Sequence, residues 1–283
     1  MSTGMILDRS FRLYLENFAL MIALSAILNI PLLIISLAFN AGNNLDPAHL
    51  SSATIATILI GGILSLLAVL IIGPLIAGAT TMAISDIYMG NMATAGAVLA
   101  AGWRKAWTLL KVQLIVGLMV AGLFLGIAFV LGLGGGILVT LGVPAIAAGF
   151  LIILGLIAGM IACVPIFLSY SLIAPVVMIE GSKNGRVVRQ RSWALVKGNR
   201  GKVFLIFFVI ILIQILVGAG IGVAASIGLG SAITSIMESL VSLLMTPISA
   251  IAITLLYYDF RIRKEGFDLE ILSQSIGGPA AET

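Results

Sequence analysis

Few side chains in this 283-residue sequence are suited to chemistry. The one histidine, His49, stands in Leu45-Asp46-Pro47-Ala48-His49 with no second histidine or cysteine near it, so it reads as a polar loop residue and no transition-metal site is expected. The one cysteine, Cys163, lies in an apolar run, which excludes an internal disulfide and suits a small buried hydrophobe. No serine has an evident base, and no apolar segment carries a pair of aspartates. Gly132-Leu133-Gly134-Gly135-Gly136 lacks the lysine and the strand-to-helix setting of a phosphate loop. The expectation is a non-catalytic protein without metal or cofactor. Two polar residues inside apolar sequence remain as a candidate site: Glu238, with Ser235 and Ser239 beside it, and Gln214. Such groups can mark an ion path or a lipid or substrate contact, whereas an acid in the first turn of a span can also sit at the headgroups or hydrogen-bond within a bundle.

The elements that hold these residues follow from composition. Hydrophobic residues make up 61% of the chain and charged ones 9%, which rules out a soluble globule with about 25% charge. Uncharged runs cover residues 17–45, 47–85, 112–179, 203–237 and 239–258, and a helix needs roughly 20 apolar residues to cross a bilayer. They predict an all-α integral membrane fold with six spans, near 18–39, 52–84, 110–131, 142–177, 203–225 and 236–258, the long run dividing in a hairpin at 132–136. Pro144, Pro165 and Pro175 predict kinks in the fourth span. Residues 87–103 are too short and too rich in glycine and alanine for a seventh span, and the first apolar stretch is too long for a signal peptide.

Charge orients the chain. With six spans, all fifteen lysines and arginines fall on one side, and the opposite loops, 40–50, 132–141 and 226–231, have none. The positive-inside rule then places both termini in the cytoplasm. Seven of the fifteen, Lys183, Arg186, Arg189, Arg191, Lys197, Arg200 and Lys202, form a cluster that either sets topology or contacts anionic lipid heads. The charge pattern gives no expectation of nucleic-acid binding.

Three segments line up before the odd-numbered spans: Ser10-Phe11-Arg12-Leu13-Tyr14-Leu15-Glu16-Asn17, Ala106-Trp107-Thr108-Leu109-Leu110-Lys111-Val112-Gln113 and Ser192-Trp193-Ala194-Leu195-Val196-Lys197-Gly198-Asn199. Each runs small, aromatic, any, leucine, three variable residues, amide. Each even-numbered span ends at an acid, Asp86, Glu180 or Asp259, and Pro74 and Pro247 precede Asp86 and Asp259 at equal spacing. The organisation expected is one membrane domain over 1–283, built from parallel repeats at 5–86, 93–180 and 183–259, each a short interfacial helix followed by a hairpin. A tail at 260–283 follows. Asp86, Glu180 and Asp259 are expected to pair with the basic interfacial helices, Asp259 also with Arg263 one turn on.

The segment Leu255-Leu256-Tyr257-Tyr258-Asp259-Phe260-Arg261-Ile262-Arg263-Lys264-Glu265-Gly266-Phe267-Asp268-Leu269-Glu270, together with Arg191-Ser192-Trp193-Ala194-Leu195-Val196-Lys197-Gly198-Asn199, resembles the prokaryotic membrane-domain family sometimes fused to glycerophosphoryl diester phosphodiesterases. The resemblance implies a six-helix plasma-membrane protein and no settled activity, since the phosphodiesterase chemistry of fused members belongs to a separate soluble barrel. The functional expectation is a scaffold, a lipid-interacting component or an accessory subunit. Its partners would be membrane lipids, anionic ones among them, and a protein partner or second copy within the membrane. The alternative is a transporter or exporter of a lipid-like or amphipathic small molecule, its bundle enclosing a cavity faced by Glu238 and Gln214. Tyr257 and Tyr258 are expected at the membrane border.

Overall fold

The structure is a computed structural model that describes residues 2–40, 52–226 and 230–266. His49 with most of its loop, part of the 226–231 loop, and the tail from residue 267, including Asp268 and Glu270, lie outside the described residues. Nine helices and no strand occur among the described residues: α1 Thr3–Glu16, α2 Phe18–Asn40, α3 Ser52–Tyr88, α4 Ala95–Thr140, α5 Ala145–Ser169, α6 Ile173–Ile179, α7 Gly185–Val196, α8 Arg200–Ser226 and α9 Ser231–Glu265. Six stretches are long and apolar enough to span a bilayer, with α5 and α6 together forming the fourth, Ala145–Ile179. The chain is an all-α integral membrane protein.

The short helices α1 and α7 are made by caps and by one-sided apolar patterning. Ser2 accepts a hydrogen bond from the Met5 amide at 3.3 Å and Asn184 from the Arg186 amide at 3.0 Å, satisfying donors that a helix start leaves open. Ile6, Ser10 and Tyr14 on α1, and Val188, Ser192 and Leu195 on α7, face inward. The aromatic position of each aligned segment, Phe11, Trp107 and Trp193, faces outward, and the small residue before Phe11 and Trp193 is buried. Two of the three interfacial segments are separate helices. The second is not: α4 runs without a break for 46 residues, about 69 Å at 1.5 Å per residue. A break at Asn17 ends α1, and Gly198, at φ 88°, turns the chain between α7 and α8. The matching stretch of α4, Leu110-Lys111-Val112-Gln113, contains no such residue.

The expected hairpin at 132–136 is also corrected. Those glycines lie within α4, and the turn comes at residues 141–144, where Gly142 takes φ 89° and Pro144 caps α5. Of these glycines Gly135 serves packing, as do Gly155 and Gly159 of α5. Leu131 fills the space over Gly155, Ile127 fills that over Gly159, and Ile152 fills that over Gly135, so α4 and α5 interlock through large side chains set against bare backbone. The kink expected in the fourth span falls at residues 170–172, between α5 and α6. There the Ser192 hydroxyl of α7 donates to the Ser169 carbonyl at 2.8 Å, replacing a helical partner lost at the break.

Packing is concentrated at the end of the bundle that carries the basic residues. The core there joins Ile6 and Tyr14 of α1 to Ala79 and Ile84 of α3, Leu109 of α4, Val176 of α6, Leu195 of α7 and residues 255–260 of α9. Each interfacial segment lies against the closing helix of the hairpin before it in cyclic order: α1 on α9, the start of α4 on α3, and α7 on α6. Towards the opposite end α3, α4, α5 and α8 expose apolar side chains such as Leu66, Leu125, Ile153 and Leu216, as a lipid-facing surface requires. The α3–α4 contact leaves no room at Gly102, where an added Cβ would lie 2.7 Å from the Leu75 carbonyl oxygen and 2.9 Å from the Ala79 amide nitrogen. Gly102→Leu should therefore cost about 3 kcal/mol of stability by overpacking and lower the Tm in detergent by several degrees. Gly126→Leu, in open space on the same helix, should leave the Tm unchanged, and equal effects of the two would disprove the close contact.

Candidate functional site

Three features of the basic end bear on function: a closed ring of charges, an apolar cavity above it, and the surface cations. The ring centres on Glu180, the C-cap residue of α6. Its carboxylate accepts from Arg191 Nε of α7 at 3.0 Å and from the Tyr257 hydroxyl of α9 at 3.0 Å. Arg191 also donates to Glu265 at 2.7 Å. Glu265 accepts from Arg261 Nε at 3.3 Å, and Arg261 donates back to the Tyr257 hydroxyl at 3.3 Å. The hydrogen bond to Glu265 and then that to Glu180 hold the Arg191 guanidinium above its ordinary pKa, against the burial that lowers it. Two lysines finish the helix ends. Lys105 donates to the Val177 and Met178 carbonyls at 3.3 and 2.8 Å, and Lys264 to those of Ala194 and Lys197, both at 2.7 Å.

Asp259 is buried, 3% exposed, and bridges Lys202 at 2.5 Å and Arg263 at 3.2 Å. Asp86 makes no ion pair among the described residues, contrary to the expectation for it. The arginine that α1 brings to this corner, Arg9, lies 4.8 Å over the Tyr88 ring instead. Tyr257 and Tyr258, expected at the membrane border, are in the core at 0% and 2% exposure. Their hydroxyls have protein partners there, Glu180 for Tyr257 and Ser85 at 2.7 Å for Tyr258, and Tyr258 stacks on Tyr88 at 4.7 Å.

The seven cations proposed as lipid contacts divide. Arg191 and Lys202 are engaged with acids of the protein. Lys183, Arg186 and Lys197 are exposed, while Arg189 and Arg200 are half-buried. Arg200 lies 4.5 Å over the Trp193 ring.

A cavity of about 760 Å³ opens between the three hairpins. Gly117, Ala121 and Phe124 of α4, Met160, Cys163 and Phe167 of α5, and Phe207 of α8 make an almost wholly apolar wall. Thr81, Gln113, Tyr170 and Ser171 supply its polar groups, all close to the basic end. The helix break at 170–172 places two of these, Tyr170 and Ser171, on the cavity. Cys163, buried as expected, is part of the wall. The size and the ratio of apolar wall to a few polar groups are those of small-molecule sites.

Glu238 and Gln214 do come together, but not in this cavity. Both are exposed and line a separate groove of about 220 Å³ between α8 and α9, with Gly218, Ile221, Ser242 and Met245. The expectation that they face a cavity enclosed by the bundle is corrected accordingly. No group of His, Cys, Asp and Glu among the described residues could hold a metal ion.

Sequence reasoning placed other residues, Glu238 and Gln214, on a bundle cavity and missed its actual lining, and it anticipated Glu180 pairing with α7 but not the rest of the ring. Part of the ring was available, since Tyr257, Arg261 and Glu265 recur every fourth residue and so share one helix face. The cavity wall is composed of residue types that any span contains. The chain matches no family model, no curated protein and no solved structure. Asp259→Asn leaves Lys202 without its carboxylate in a half-buried position and should cost about 3 kcal/mol. Asp86→Asn should change stability by less than about 0.5 kcal/mol. Thermal unfolding of both variants in detergent checks the difference, and equal Tm values would contradict it.

Proposed function

We propose that this multi-pass membrane protein is a non-catalytic, lipid-interacting component that holds the apolar tail of a long-chain amphiphile in the cavity between its three hairpins. The observation that carries the reading is the cavity itself: about 760 Å³, walled by glycine, alanine, methionine and phenylalanine, with its polar groups gathered at one end. An amphiphile has the same polarity gradient, and apolar surface leaving water or lipid for a matching wall gains both burial and dispersion contacts. In this reading the basic end faces the cytoplasm of a plasma membrane, an orientation that the one-sided lysines and arginines support, and the tail enters from the leaflet on that side.

The cyclic order of contacts, α1 on α9, α4 on α3 and α7 on α6, supports three repeats at 5–86, 93–180 and 183–259 arranged around the cavity. Kinship with the membrane-domain family is also part of the proposal. Its two specific segments meet in the ring, through Arg191 on one side and Tyr257, Arg261 and Glu265 on the other.

Native mass spectrometry after gentle extraction tests the reading. The wild-type protein should retain one lipid-like adduct, and Gly117→Leu combined with Ala121→Phe, which fills the cavity from α4, should lose most of it at unchanged Tm. Glu238→Gln should retain it, because Glu238 lines another groove. Undiminished adduct in the filled variant would place the ligand elsewhere.

A further inference from the structure

Beside the cavity lies a second hollow of quite different chemistry. At the turn between α7 and α8, Trp193, Lys197, Gly198, Arg200 and Gly201 line a pocket of about 510 Å³. Two of these five residues are cations and none is an acid. Neither Lys197 nor Arg200 makes an ion pair among the described residues, whereas their neighbours Arg191 and Lys202 do. The floor is left open by glycine: an added Cβ at Gly198 or Gly201 would meet no atom within 4 Å.

Arg200 is held for use in this pocket. Its guanidinium stacks on the Trp193 ring at 4.5 Å, and its Nε is buried without a hydrogen-bond partner in the protein. A buried donor left unpaired is costly, and with Nε closed off it is the remaining guanidinium N–H groups of Arg200 that an anion in the pocket would meet. The guanidinium fork suits phosphate oxygens in particular, and the lysine adds a second positive charge against the roughly −1.5 to −2 of a phosphate monoester. The pocket and the cavity share no lining residue, and a contact between aromatic rings relates them. Trp193 lies 5.9 Å from Tyr170, and Tyr170 lines the cavity.

We infer that the pocket of Trp193, Lys197 and Arg200 binds the phosphate head of the amphiphile whose tail occupies the apolar cavity, which makes the ligand class a phosphate-headed lipid. The inference rests on the cavity reading above. Free phosphate offers the same oxygens to Arg200, so the test separates the two sources.

Replacing Trp103 and Trp107 with Phe leaves Trp193 as the sole indole of the three, and Cys163 is the sole thiol in the cavity wall. Oleyl phosphate and oleyl alcohol share a tail and differ in the head. In mild detergent, oleyl phosphate should protect Cys163 from a small maleimide at a concentration at least tenfold lower than oleyl alcohol, and it alone should shift Trp193 emission. Arg200→Gln should cut that advantage to below threefold with alcohol protection unchanged. Gly201→Leu, which fills the pocket and keeps both charges, should do the same, and it carries the test if the arginine variant does not fold. Equal potency of the two lipids overturns the headgroup site and leaves the cavity reading standing. Failure of both to protect Cys163 overturns the cavity reading. A Trp193 shift produced by inorganic phosphate at the concentration where oleyl phosphate acts assigns the pocket to free phosphate and overturns the lipid head.

Discussion

A partly buried carboxylate in a low-dielectric setting is stabilised by cations and donors aimed at it, and the way Glu180 is satisfied organises the basic end of the molecule. Glu180 ends α6, receives Arg191 from α7 and receives the Tyr257 hydroxyl from α9. Glu265 and Arg261 close the circuit, so that each charge in it has a partner of opposite sign or a hydroxyl. A low-dielectric setting makes an unpaired member of such a circuit costly, which is why it acts as a unit. The consequence is geometric. The second and third hairpins are held at their basic ends by directional contacts, and the first is joined to them through α1 on α9 and through Ser85 and Tyr258.

Away from the ring, close approach of the helices rests on shape. In lipid there is no hydrophobic gain from bringing apolar side chains together, so helices approach closely only where shape permits it. Gly102 permits it for α3 and α4, and Gly155 and Gly159 permit it for α5 against α4. Where the spans diverge between these contacts, the cavity remains, walled by the same residue types that face lipid outside. The break at 170–172 adds the polar element. It interrupts the fourth span, its lost carbonyl partner is replaced by Ser192 from α7, and Tyr170 and Ser171 come to lie on the cavity.

The same short helix, α7, therefore contributes to all three features. Ser192 repairs the break, Arg191 enters the ring, and Trp193 with Lys197 lines the pocket beside the cavity. These residues are adjacent in sequence but point to different neighbours, because successive positions on a helix are turned by about 100°. A cluster of positive charges that reads in sequence as uniform is thus divided by orientation into cations engaged with the protein's own acids and cations that make no ion pair among the described residues.

Much of this was legible in the residues alone. Uncharged runs determined the six spans, because no polar backbone can cross a bilayer unless it is helical or closed in a barrel, and the one-sided lysines and arginines determined which ends lie together. The aligned serine, aromatic and leucine positions already indicated the short helices α1 and α7. Local chain chemistry decided less than expected at two places: a run of glycines that reads as a turn stays helical, with α5 packed against it at Gly135, and the second interfacial segment is continuous with its span because nothing breaks it. Only tertiary structure decided that Tyr257, Tyr258 and Asp259 are core residues, that Asp86 stands outside the ion pairs, and that Glu238 and Gln214 share a lateral groove instead of the cavity. The reason is that hydropathy measures how well a residue suits the apolar layer. Whether its neighbour there is lipid, a helix or an empty space depends on how the helices are rotated and spaced, and that is settled by contacts between residues far apart in the chain.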